Sequence, residues 1–296
     1  MAPINWSYDS GAMREDLLDV LRNLTPTDYQ LITGLGISTA SQIRHETLIK
    51  TLNAVKTNAM IEGADATYFA LTNPTRLANY TQIFTQGYQV TDTERAVNSA
   101  AFNDRFSLEA TDAMRMIKAD MEYAVMRGSL VSGSGTAARQ LRGVKNSLSL
   151  VTNQSGISLT EKILNDYFNW VWDNGTEVNA VYAPMYIKRK IAAFTGGSTV
   201  KNSEVTDRRL INSVDVYEAD AAKMVKLFAH RYVTISSDTN YDIVGLNEDL
   251  WKIAYLRKPA ITAMPKTGDS TKGNIVAEAT LESQHYNGGF YGIQHL

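Results

Sequence analysis

Cysteine is missing altogether from the 296 residues, so disulfides and thiolate chemistry are excluded. Its absence says little about compartment, because chains without thiols are tolerated everywhere. An excess of charge of either sign is missing too. A net charge of -2 argues against whole-protein affinity for nucleic acid or anionic membrane and leaves room only for a local basic face. No run approaches the roughly 18 apolar residues of a membrane span, and residues 1–11 lack a basic-then-apolar leader. The expectation is a soluble product made in the cytoplasm, with no membrane partner. The four histidines (His45, His230, His285, His295) show no His-x-x-x-His spacing, and no carboxylate cluster stands beside them at a ligand interval. No metal and no cofactor is expected.

What is present is a chain that is 44% hydrophobic and 20% charged, enough to bury a sizeable core in one elaborate domain or two. Its organising stretch is residues 103–128. Phe106, Ala110, Ala113, Met114, Ile117, Met121, Ala124 and Val125 recur every three or four places, while Asp104, Arg105, Glu109, Asp112, Lys118 and Glu122 fill the other side. The spacing predicts one long amphipathic helix, capped by Asn103 and ended by Arg127 and Gly128. A rod of about 36 Å with a single apolar stripe should lie on a sheet, with Phe106, Ile117 and Met121 as its core residues.

The flanking segments read in order. Residues 14–24 predict a short helix and residues 28–52 give no clear assignment. Gly34 and Gly36 lack the strand, lysine and downstream acid of a nucleotide loop. T-Y-F-A-L from Thr67 and N-Y-T-Q-I-F-T-Q from Asn79 predict a two-stranded extension, too polar to stand alone, that leans on a neighbouring subunit or, as the alternative, is a surface hairpin covered by its own domain. Beyond the glycine-serine loop around residues 133–136, a helix from Ser158 or Thr160 to Trp172 is ended by Asp173-Asn174-Gly175. A buried strand at 178–182, a helix opened by Pro184 and strands at 214–217 and 224–235 complete an α+β unit. Strands follow at 241–245, 251–256 and 260–263. A turn-rich link then leads into a half-buried strand at 275–286, where Ile275, Ala277, Ala279 and Leu281 alternate with mostly polar residues.

Chemistry is sparse. Lys188-Arg189-Lys190 reads as a solvated face, with a nucleic-acid or subunit contact as the alternative. Ser198-x-x-Lys201, Ser237-Asp238 and Lys266-Thr267-Gly268 follow the order of the serine β-lactamases and penicillin-binding proteins. Ser198 follows two glycines, however, Thr239 stands where Asn is required, and Lys266 sits in turn chemistry. No nucleophile, base and orienter come together, so no enzyme is expected.

Several runs carry a resemblance: E-G-A-D-A from Glu62, P-T-R-L-A-N-Y-T-Q-I-F from Pro74, G-T-A-A-R-Q-L-R-G from Gly135, and K-T-G-D with A-E-A-T-L-E near the end. With the long helix, they resemble the major capsid proteins of tailed bacteriophages, and more narrowly the short-tailed-phage group sharing P-T-R-L-x-N-Y-T-Q-I. The resemblance covers most of residues 14–292. It implies the α+β Hong Kong-type capsid fold, divided into an N-terminal arm (1–61), an extended E-loop (62–102), a peripheral domain with the spine helix (103–149), an axial domain (150–235) and a return to the peripheral domain (236–296).

It also implies self-assembly into hexamers and pentamers of an icosahedral shell around double-stranded DNA, in a virion assembled in the host cytoplasm. Separate scaffold, portal and decoration proteins would be further partners, and contact with the packaged DNA would be weak and non-specific. Arg76, Tyr80, Ile83, Phe84 and Tyr88 would make subunit contacts through the E-loop, with Arg76 and Arg139 in ion pairs between subunits. Covalent crosslinking is not expected, because residues 76–88 contain no lysine. Encapsulins, which are cargo-storing shells, share the fold and give the alternative. A phage tail or decoration protein, a binding module and a serine hydrolase are more distant ones.

Overall fold

The computed structural model describes residues 29–295 except 67, 69, 98–103, 155, 195–214, 221, 234, 238 and 239. The expected helix at 14–24 and the expected cap Asn103 lie outside the described residues. Helix α1 (Gln30–Gly34) leads into β1 (Gly36–Thr39) and β2 (Arg44–Ile49), and a long excursion separates these from β3 (Thr75–Tyr80) and β4 (Gln82–Thr91). Helices α2 (Asp92–Ala96), α3 (Arg105–Arg127) and α4 (Val144–Ser147) precede β5 (Leu150–Asn153), α5 (Glu161–Asp173), β6 (Ala180–Ala183) and α6 (Met185–Ala192). The strands β7 (Val216–Ala219), β8 (Ala222–Ala229), β9 (Ile235–Ser237), β10 (Asn240–Leu246), β11 (Trp251–Ala263), β12 (Ser270–Ser283) and β13 (Gly289–His295) follow.

The strands form three sheets: four strands in the order β1-β11-β12-β4, seven built on β5-β13-β10-β6-β8-β7 with β9 on β10, and the pair β2-β3. Residues 236–296 therefore do not return to one sheet as a block. β11 and β12 join the four-stranded sheet, whereas β10 and β13 sit inside the seven-stranded one, where Val244 pairs with both Tyr182 and Tyr291.

Helix α3 spans 23 residues, about 35 Å, and packs across β4 and β12. Its stripe works as the spacing predicts: Ala113, Ile117, Met121, Ala124 and Val125 share one apolar cluster with Phe84, Ile275, Ala277 and Ala279. Fully burying a side chain such as Ile117 contributes roughly 1.5–3 kcal/mol. Phe106 lies at the margin of this stripe and is only half-buried. Asp104 caps the helix, its carboxylate accepting the Phe106 N–H at 3.1 Å. Gly128 ends it with φ of -50°, so the glycine supplies room and not a left-handed turn. A Cβ there would collide with the carbonyl oxygens of Ala124 and Leu141, and one on Gly143, whose N–H bonds the Gly128 carbonyl at 2.9 Å, would press on the same crossing.

Other boundaries shift for local reasons. The strands expected at 251–256 and 260–263 are one strand, β11, whose register slips on both sides of Arg257. Pro259, in that irregular stretch, has no N–H to give the ladder. Helix α5 is capped by Thr160 and followed by Gly175 at φ +86°. Its inner face is Leu164, Tyr167, Phe168 and Val171, but Trp172 is 57% exposed, because the helix turns it past the edge of that face. On β12 both faces are covered near the C-terminal end: Ala277, Ala279 and Leu281 are buried as expected, and so are Glu278 and Thr280 on the face expected to be polar and open.

Candidate assembly surface

The two-stranded sheet pairs Arg44 with Tyr80 through Ile49 with Thr75. This corrects the expected hairpin. The partner of residues 75–80 is R-H-E-T-L-I at 44–49, in the unassigned stretch, whereas Tyr68, Ala70 and Leu71 carry no strand. The chain changes sheets at Thr81, whose N–H bonds the Ile43 carbonyl at 2.9 Å. From there β4 pairs with β12, placing Ile83 opposite Glu278 and Phe84 opposite Ala277.

Between β2 and β3, residues 51–66 are exposed throughout, and so are Tyr68 (97%), Ala70 and Leu71. Leu52, Val55, Met60 and Ile61 lie among them. The excursion turns at Glu62 and Gly63, where Gly63 takes φ of +84° and the Ala64 N–H bonds the Ile61 carbonyl at 3.0 Å. A left-handed φ suits glycine, which has no Cβ to clash. This arm-like segment leaves a row of apolar side chains uncovered by its own subunit.

The five residues expected at a subunit contact fall in different places. Arg76 is exposed and bonds Glu46 Oε2 at 3.2 Å, within its own subunit. Ile83 is exposed and Tyr80 half-buried. Phe84, 6% exposed, points into the subunit's core, because alternation along β4 turns it toward α3, so its ring has no surface to offer a neighbour. Tyr88 is half-buried with its ring 5.0 Å from that of Phe106, over which the Arg95 guanidinium sits at 5.6 Å. Arg139 likewise pairs inside the subunit: its Nη2 donates to Glu278 Oε1 at 2.8 Å. The same buried carboxylate accepts the Thr81 hydroxyl at 2.8 Å and the Arg257 guanidinium at 3.0 Å.

Glu122, expected on the solvent side of the helix, is fully buried. Its Oε1 accepts the Leu31 N–H, its Oε2 the Ile32 N–H, and its Oε1 also meets His230 Nε2, all at 2.8 Å. Helix α1 covers this flank of α3. The only sequence cue was an acid bordering Met121 and Val125, since its partners lie about 90 and 108 residues away.

A cavity of about 330 Å³ opens beside the β2-β3 pair, lined by Arg44, Arg76, Arg142, Tyr80, Tyr286 and small or aliphatic neighbours. Sequence reading missed Arg44 and Arg142 here, because the pairing of β2 with β3 was not visible. The basic run makes contacts within the subunit. Lys188 donates to Asp215 Oδ1 at 2.7 Å and to the Leu227 carbonyl at 3.0 Å, and Lys190 donates to Ser158 at 2.8 Å. Lys266 pairs with Asp92. Ser198, Lys201, Asp238 and Thr239 lie outside the described residues. Among the described residues no group of three or more His, Asp or Glu could hold a metal ion.

The sequence matches the family described as SU10 major capsid protein over residues 4–290. The chain belongs to that family. It is accordingly a structural, non-enzymatic protein of a capsid family. Solved structures similar to it include the capsid of a native GTA particle (TM-score 0.66, 11% identity, covering 98% of both chains). Another is from Gordonia phage Cozz (TM-score 0.66, 10% identity, covering 96% of this chain and 92% of that one). A third is the holo-SrpI encapsulin complex from Synechococcus elongatus PCC 7942 (TM-score 0.61, 13% identity, covering 100% and 96%). Likenesses at this identity establish a capsid-type α+β fold. No curated protein matches the sequence.

Proposed function

We propose that the chain is the major capsid protein of a tailed phage, copies of which assemble as hexamers and pentamers into an icosahedral shell around double-stranded DNA. In this reading α3 is the spine helix on a peripheral sheet of four strands. The seven-stranded sheet with α5 and α6 forms the axial domain, and the E-loop, expected at 62–102, is redrawn to β2, β3 and the excursion between them, because β4 pairs with β12 in the four-stranded sheet. Arg76, Tyr80 and Ile83 then face a neighbour, scaffold and portal proteins are separate chains, and the near-neutral protein touches packaged DNA only weakly.

The observation that carries this reading is the uncovered excursion. Leu52, Val55, Ile61, Tyr68 and Leu71 stand in water in the single subunit, a row of apolar surface that association would bury. Replacing residues 52–72 by a short Gly-Ser turn should leave folded, soluble subunits that melt cooperatively and form no shells. Normal shells from that deletion would remove the excursion from assembly. The likeness to the SrpI encapsulin supports a second reading, a cargo shell. Shells from the native source should contain DNA in the first case and protein in the second.

A further inference from the structure

We propose that the acidic turn of the excursion, Glu62 to Asp65, seats in the arginine-lined cavity of a neighbouring copy. The proposal rests on the shell-building reading and adds to it a specific socket and plug.

The socket is built from two strands and two loops. Arg44 and Arg76 rise from paired strands, and both hold the single carboxylate of Glu46, Arg44 Nε at 2.8 Å and Arg76 Nη1 at 3.2 Å. Arg142 adds a third guanidinium, lying 5.8 Å from the centroid of the Tyr286 ring. Among the described residues that line the cavity there are three guanidiniums and no carboxylate, and Arg44 and Arg76 share the single carboxylate of Glu46, so the lining is positively charged. Guanidinium presents a planar fork of donors suited to carboxylates. The remaining walls, Leu77, Leu130, Tyr80 and Tyr286, offer apolar area beside the charge.

The plug has the complementary make-up. Glu62 and Asp65 flank the tight turn at Gly63, both are exposed, and the apolar Met60 and Ile61 stand directly before them. The hydrogen bond from the Ala64 N–H to the Ile61 carbonyl shapes the turn in advance, which lowers the ordering cost of docking. The turn does not occupy its own subunit's cavity, since residues 61–66 are all exposed. The occupant we assign is a second copy, because the turn's acidic and apolar make-up complements the arginine and apolar walls of the cavity. A contact between two different patches of the same chain is heterologous, and such contacts close into rings when the rotation permits, as capsomers require.

Charge exchange tests the pairing. Glu62→Lys with Asp65→Lys alters only side chains that are exposed in the subunit, so thermal melts should match wild type while the yield of closed particles falls at least about tenfold, equivalent to about 1.4 kcal/mol per tenfold step. Arg76→Glu with Arg142→Glu should lower the yield likewise, with some loss of melting temperature because Arg76 also pairs with Glu46 inside its own subunit, and combining all four substitutions should restore yield to within about threefold of wild type. Absence of particles from the wild-type chain would count against the shell reading itself. Wild-type particles accompanied by normal assembly of Glu62→Lys with Asp65→Lys would overturn only the pairing. So would normal shells of the arginine variant carrying less nucleic acid, which would assign the cavity to nucleic acid, or a well-folded fourfold variant that stays defective.

Discussion

His230 Nε2 lies 2.8 Å from Glu122 Oε1 in a site closed to solvent on both sides. The other imidazole nitrogen, Nδ1, accepts the Tyr232 N–H at 3.2 Å, so Nε2 carries the hydrogen and donates it to the carboxylate. Since Glu122 also accepts the Leu31 and Ile32 N–H groups, one side chain of α3 ties the root of the N-terminal segment to the loop that follows β8.

Glu122→Ala should therefore cost about 3 kcal/mol or more, because it strands two backbone donors and an imidazole N–H away from water. Glu122→Gln, which keeps one carbonyl acceptor, should cost less. Urea titration of the subunits checks the ranking, and equal stability of Ala and wild type would show that this junction contributes nothing.

Ile117 is closed to solvent on the inner face of α3, whereas its neighbour Lys118 is exposed. Ile117→Asp places an unpaired charge against β4 and β12 and should destabilise the subunit by several kcal/mol, roughly 3–5, or abolish soluble expression. Lys118→Asp should fold normally. Comparable melts for the two variants would contradict the packing of the helix.

The long helix, its inner stripe and the inward residues of β12 were legible because each is a local periodicity. Ile117, Met121, Ala277 and Ala279 follow from spacing alone. The β2-β3 pairing was not legible, since a polar strand such as R-H-E-T-L-I shows no alternation that selects a partner 26 or more residues away. The burial of Glu122 and Glu278 is hidden from the sequence for a related reason. A helix or strand shows which residues are charged, but whether a second layer covers that face depends on α1 for Glu122, and on Thr81, Arg139 and Arg257 for Glu278. Phe84 turns into the core because the sheet that β4 joins decides which face of its alternation is buried, and that sheet is not visible in the local sequence.

Burial pushes the His295 imidazole down to about 4, with the Tyr167 hydroxyl 3.2 Å from its Nε2. An unfolded histidine titrates near 6.5, so between that pH and about 4 the unfolded chain binds the proton that the native state refuses. Native stability should thus be undiminished by this group above about pH 6.5 and decline as pH falls toward 4. Thermal midpoints across that range should fall more steeply for wild type than for His295→Gln. Parallel curves would show that His295 is not the group responsible.

The central claim is that this chain builds a closed shell from copies of itself. Negative-stain microscopy of the purified full-length protein, combined with its sedimentation profile, tests it most directly. The account predicts closed icosahedral particles of uniform diameter that sediment far ahead of the single subunit. A monodisperse monomer at every concentration tested would contradict it.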